Sequence, residues 1–242
     1  VKVVQTQNNL RHNFIIFFLT YITMKVFVIT ISDKRWDKYK NDTRYIRWDG
    51  VIGKDLPPVA LNNFVTMWNA KLSHKQSVAG CATSHLELMK YIIDNKINDV
   101  LIIEDDALVD FDLINKKILH GIEGMIYFGG RFQSPVLKKK LNKLDIKVND
   151  GLNTIDTNLF TITGGHGYYF PSYQDCEDIY YKIVSKERMR AIDSEFRQLQ
   201  KKDIIKHFIY PAWVRLYLPD AKNGFTYNDN SNYKLQDDNK YY

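Results

Sequence analysis

Residues 100–103, VLII, are apolar with no alternation, and Glu104, Asp105 and Asp106 follow at once. A strand that is apolar on both faces has to be covered on both faces, as happens in the middle of a largely parallel sheet. The stretch therefore calls for an α/β arrangement with layers on either side of a central strand. It also poses a chemical question. Three carboxylates at the end of a buried strand must face a metal ion, a cluster of arginine or lysine, or water. In an open α/β sheet the ligand crevice lies at the C-terminal edge of the strands. With a strand period of two, Glu104 and Asp106 would share one side there, where two carboxylates can hold a hard divalent cation such as Mg²⁺ or Mn²⁺. Asp105, on the other side, could accept from a sugar hydroxyl or cap a following turn. The bland reading is a solvated acidic turn. Crowded like charges favour a cation between them, although water can also screen them.

The flanking segments fit the same architecture. KVFVITI, 25 to 31, reads as a short buried strand and TRYIRWDG, 43 to 50, as a second that ends at the turn Asp49-Gly50. Residues 51 to 73, with Pro57-Pro58, read as an irregular crossing. From Gln76 to Ile93 the apolar period is helical, with Val78, Cys81, Ala82, His85, Leu88, Met89 and Ile92 on one face. Met125 to Phe128 is a further apolar strand, ending in Gly129-Gly130. Residues 131 to 158 are a polar, lysine-rich excursion, and LFTITGGHGYYF, 159 to 170, reads as strand, glycine turn, strand. Pro171 opens a helix to about Ile183. Asp193 to Leu199 is a shorter helical segment, and FIYPAWVRLYL is a late strand or an extended arm. The order of strands and helices indicates an α/β sheet with parallel character.

Three regions follow: an apolar lead at 1–23, one domain at 24–221, and a polar tail at 222–242. The lead holds a nine-residue apolar run, Phe14 to Ile22, where a bilayer span takes about 20. A signal-peptide core fits that length, but no small-residue cleavage site follows. With 34 basic against 28 acidic side chains the formal charge is +6, spread along the chain rather than gathered into a nucleic-acid footprint. Cys81 and Cys176 make neither a disulfide framework nor a zinc site, and a reduced, cytoplasmic protein is the simpler reading. The charge and the lead are compatible with peripheral contact to an anionic membrane, and dimerisation through the lead is equally open.

Several chemistries have no support. No GK[ST] phosphate loop occurs, GGHG at 164–167 lacks the dinucleotide spacing, and neither a zinc-hydrolase His pair nor a nucleophile elbow is present. His166 is a candidate acid or base, or a loop histidine bonded to backbone. His85, on the apolar face of its helix, reads as a satisfied core histidine, with Ser84 bonding back to the carbonyl one turn earlier. Asp193 and Glu195 suit a general base or the start of a helix equally well.

Taken together, VFVITISDKRWDKY with WDG after it, GCATSHLELMKYI, VLIIEDDA, MIYFGG, TITGGHGYYF, AIDSEF and FIYPAWV resemble glycosyltransferase family 25, the lipooligosaccharide-type and collagen-type galactosyltransferases. The likeness covers residues 25 to about 215. It implies a GT-A type, Rossmann-like fold and transfer of a hexose from a nucleotide sugar, commonly UDP-galactose, to a glycan, glycolipid or glycoprotein acceptor, with inversion at the anomeric carbon. By the same likeness, Glu104 and Asp106, with Asp105, would hold the donor diphosphate through Mn²⁺ or Mg²⁺. Gly80, Cys81, Ser84 and His85 would lie near the donor, as would Ser32, Lys34, Arg35 and Asp49 at the ends of the first two strands. Asp193 would act as base, with Glu195 and His166 in reserve, and Tyr168 or Trp213 could stack on sugar or base. Two rivals remain at this stage: a sugar nucleotidyltransferase, for which ISDKRWDK lacks the expected glycines, and a carbohydrate-binding or assembly protein without activity.

Overall fold

The computed structural model describes residues 24–64, 71–133, 148–210 and 212–216. The apolar lead, the tail and the KKK cluster of the lysine-rich excursion lie outside them. In chain order the described residues form β1 (Lys25–Thr30), α1 (Asp33–Trp36), β2 (Tyr45–Asp49), α2 (Pro58–Asn62), α3 (Leu72–Asp94), β3 (Val100–Glu104), β4 (Ala107–Val109) and β5 (Ile126–Gln133). Then come β6 (Gly151–Thr154), β7 (Thr161–Phe170), α4 (Tyr173–Val184), α5 (Ile192–Lys201), β8 (His207–Tyr210) and β9 (Val214–Leu216).

Seven strands make one sheet in the order β2-β1-β3-β7-β5-β8-β6. β1 pairs in parallel with both β2 and β3, and β5 in parallel with β8, while β7 and β6 run against their neighbours. This is the expected GT-A-like, mostly parallel sheet between helical layers. β3 lies inside the sheet, and Val100 to Ile103 are 0% exposed. Val100 and Ile102 join a core with α3, α4 and α5, whereas Leu101 and Ile103 join a second core with Tyr39, Trp213 and Val214. Burying each such side chain is worth about 1.5–3 kcal/mol, so the unalternating run finds its partners on both faces. The chain leaves β1 towards β2 on one side and reaches β3 on the other, which makes the C-terminal ends of β1 and β3 a topological switch point.

α3 is longer than its apolar period suggests, and its buried stripe runs through Ala82, His85, Leu88, Met89 and Ile92. Cys81, expected on that face, is exposed at its edge, and Val78 is half-buried. The helix lies so close to residues 51–53 that a Cβ on Gly80 would come 2.7 Å from the Gly53 nitrogen. α4 begins with a capping box in which Ser172 and Asp175 satisfy each other's backbone N–H groups.

Two glycine pairs behave differently from the sequence reading. GGHG is not a turn: β7 runs unbroken from Thr161 to Phe170, and β5 continues through Gly129-Gly130 to Gln133. At Gly129 and Gly167 the cause is a close crossing. A Cβ on Gly129 would meet the Val214 carbonyl oxygen at 2.3 Å, and one on Gly167 would meet Val214 Cβ at 2.5 Å. The glycines thus make room for β9, as glycine in a strand interior often does. β7 also bulges here. Gly129 pairs with Gly167 and Arg131 with Thr163, so four steps of β7 span two of β5, and Gly164 takes a φ of +91°.

Candidate active site at the end of β3

The last residue of β1, Thr30, donates its hydroxyl to Asp105 Oδ2 at 2.7 Å and accepts the Ser32 N–H at 3.1 Å. Ser32 caps α1 by accepting the Arg35 N–H, and the Arg35 guanidinium then reaches Asp105 Oδ1 at 2.8 Å. Asp105, 7% exposed, therefore spends both oxygens tying β1 and α1 to the end of β3. It is a strut rather than the sugar-hydroxyl acceptor or turn cap considered from sequence. The turn beyond it is pinned by Tyr39, whose hydroxyl donates to the Ala107 carbonyl.

Asp106 differs from its neighbour. Its Oδ1 is buried and has no hydrogen-bond partner among the described residues. Burial first, then the charges of Glu104 and Asp105, push its pKa up to about 6, against the opposing pull of Lys38 and Arg35. Lys38 is half-buried, and that burial lowers its pKa despite the nearby Asp106 and Asp105. A buried, unbonded carboxylate oxygen beside a second carboxylate is the donor set a hard cation prefers.

Glu104 sits at the mouth of the α3 layer. His85, 0% exposed, makes contacts at both ring nitrogens: Nδ1 to the Tyr168 hydroxyl at 2.6 Å and Nε2 to Glu104 Oε1 at 3.2 Å. Burial holds the Tyr168 pKa well above its usual value, so the hydroxyl keeps its proton and is able either to donate to Nδ1 or to accept from it. The bulge of β7 brings Gly165 so near that a Cβ there would lie 3.0 Å from Glu104 Oε1. Ser84, one residue before His85, bonds the Gly80 carbonyl at 2.7 Å as expected and also accepts the Val51 N–H at 2.7 Å.

Cys81 stands one helical turn before His85, and its Sγ, a His85 ring nitrogen and a Glu104 oxygen all lie within 4.8 Å of one another. These three can hold a divalent ion. The two cysteines are both free, as the sequence suggests, yet Cys81 belongs to a ligand group that their number gave no reason to expect. Confinement, followed by the carboxylates of Glu104, Asp193 and Asp106, raises its thiol pKa, although one side of the residue stays open to solvent.

The remaining candidates spread around this edge. Asp193 lies in the first turn of α5, near enough to act on the Cys81 thiol; its Oδ1 accepts the Ser194 N–H at 2.7 Å. Glu195 is 2% exposed and has both oxygens engaged, with the Arg190 N–H at 2.8 Å and with Lys186. His166 is buried within β7, next to Gly165. Lys34 is exposed on α1, and Asp49, at the end of β2, pairs with Arg47 at 2.6 Å. Tyr168 and Trp213, 0% and 4% exposed, are core residues and offer no face for a sugar or base to stack on. Thr30, Lys38 and Tyr168 are site neighbours that sequence reasoning passed over or cast in another role, because only the pairing of β1, β3 and β7 brings them together.

A family model for glycosyltransferase family 25, described as an LPS biosynthesis protein, matches residues 25–158, more than half of the chain. The chain belongs to glycosyltransferase family 25. The matched span carries β1, α3, β3 and the carboxylate trio, and the family assignment makes this chain an enzyme, a glycosyltransferase. A search of the curated proteins finds no match. No helix among the described residues is long and apolar enough to cross a membrane.

Proposed function

We propose that this family 25 glycosyltransferase moves a hexose, galactose in the first instance, from a UDP-sugar to a hydroxyl of a glycan or glycolipid, with inversion and with a hard divalent cation. The observation that carries the reading is the buried, unbonded Oδ1 of Asp106 at the switch point of the sheet. Mn²⁺ or Mg²⁺ held by Glu104 and Asp106 would neutralise charge on the departing UDP, the Lewis-acid role.

The chain's own groups do the rest. His85 meets Glu104 through Nε2 and so keeps that carboxylate aimed, while Asp105 holds Arg35 beside it. Arg35, Lys38 and Lys34 offset diphosphate charge from the α1 side. Asp193, whose Oδ2 has no hydrogen-bond partner among the described residues, takes the proton of the acceptor hydroxyl as that oxygen attacks the anomeric carbon. Glu195, with both oxygens occupied, serves better as the anchor of the turn before α5 than as a base.

Asp106→Asn tests the reading. Divalent-dependent release of UDP from UDP-galactose, assayed with and without Mn²⁺ and against UDP-glucose and GDP-sugars, should fall to background. Turnover and Mn²⁺ affinity that survive the substitution would remove the assignment. Exchange of pyrophosphate with a nucleoside triphosphate would point to a nucleotidyltransferase instead.

A further inference from the structure

We propose that Cys81, His85 and Glu104 form a metal site of their own, selective for a borderline-soft ion of the Zn²⁺ class rather than for the hard cation of a nucleotide donor. Thiolate and imidazole suit Zn²⁺, whereas Mn²⁺ and Mg²⁺ are served by carboxylates and water. One sulfur, one nitrogen and one oxygen, with an exposed side for water, is a four-coordinate zinc set with an open position.

The geometry is close to that set. Residues 81 and 85 lie one turn apart on the same side of α3, and Glu104 comes to them from the end of β3. Tetrahedral bonds of zinc length place neighbouring ligand atoms roughly 3.5 Å apart, and the three atoms here already lie within 4.8 Å of each other. The remaining adjustment falls on Cys81, which is exposed, and on Glu104, which is half-buried, while His85 stays fixed.

Tyr168 supplies the outer partner that a metal-bound histidine needs. With Nε2 on the ion, Nδ1 would carry the ring proton and the Tyr168 hydroxyl, 2.6 Å away, would accept it. Binding would also release the thiol proton to solvent.

Glu104 would then belong to two sets. An ion on Cys81 and His85 draws it from Asp106, so Zn²⁺ should inhibit transfer; this consequence rests on the function proposed above, while the site itself does not.

The test uses the full chain, free of metal and nucleotide, titrated with Zn²⁺ and with Co²⁺. The expected result is one ion per chain and a sulfur-to-cobalt charge-transfer absorption. Cys176, the other cysteine, is 0% exposed with its thiol against the Met89 carbonyl, so the band reports Cys81. Cys81→Ser, checked by circular dichroism for an unchanged fold, should lose the band. Tyr168→Phe should keep it while weakening Zn²⁺ about 10–100-fold. Cobalt bound without the thiolate band, or equal Zn²⁺ affinity in wild type and Cys81→Ser, would overturn the proposal. Should Cys81→Ser fail to fold, the wild-type band decides alone. Because no nucleotide is present, either outcome is read apart from the Asp106→Asn result.

Discussion

Asp106 ionises against its own surroundings. Its folded pKa of about 6 lies above the ordinary carboxylate value of 3.8, so between those limits the folded chain binds more protons than the unfolded one. Stability of the metal-free protein contributed by this group therefore falls as pH rises through that window. Asp106→Asn, a mimic of the protonated form, should raise the melting temperature in chelator at neutral pH. The gain should be on the order of 1 kcal/mol, roughly 2–4 °C, and should shrink towards about pH 4. A melting temperature unchanged at neutral pH would show that the carboxylate is not strained. Asp105, by contrast, has both oxygens hydrogen-bonded. Thr30→Val leaves Oδ2 without its 2.7 Å partner and should cost about 1–3 kcal/mol in a urea unfolding curve. The trio was visible in the sequence as a cluster with a charge problem. How its members divide the work was not, because Thr30, Arg35 and His85, which tell Asp105 from Glu104, arrive from 75, 70 and 19 residues away.

The elements were legible where local pattern and tertiary demand agree. β3 was read from its unalternating run and α3 from its period, and each is apolar where the fold covers it. β7 was misread for a physical reason. Gly-Gly is an intrinsic turn signal, whereas the neighbours that crowd the glycines of β7, Glu104 at Gly165 and Val214 at Gly167, are brought there only by the folded sheet. The crossing makes a prediction. Gly167→Ala drives a methyl to 2.5 Å from Val214 Cβ and should destabilise the chain by about 1–3 kcal/mol. Val214→Gly removes that obstacle at the expense of core packing, so the double variant should be less destabilised than the two single effects added together. Denaturation of the four proteins of this cycle measures the coupling, and strict additivity would mean that Val214 does not set the need for glycine at 167.

For the molecule as a whole, the parallel character was within reach of the sequence, but not the strand count, since β6 lies in the polar excursion and β7 reads as two strands, nor the order β2-β1-β3-β7-β5-β8-β6. That order creates the switch point where the trio, α1 and the first turn of α5 converge. The +6 charge and the apolar lead lead us to propose loose attachment to an anionic bilayer carrying the acceptor. The full chain should sediment with anionic liposomes at low salt, and less so when it begins at Met24. Equal sedimentation of both would remove the lead from the account. The central claim is tested most directly by diffraction from crystals soaked with UDP and Mn²⁺, with the ion located by its anomalous signal. Mn²⁺ should bridge the diphosphate to Glu104 and Asp106 at the end of β3. An ion and a diphosphate elsewhere, with Asp106 Oδ1 still unbonded, would contradict it.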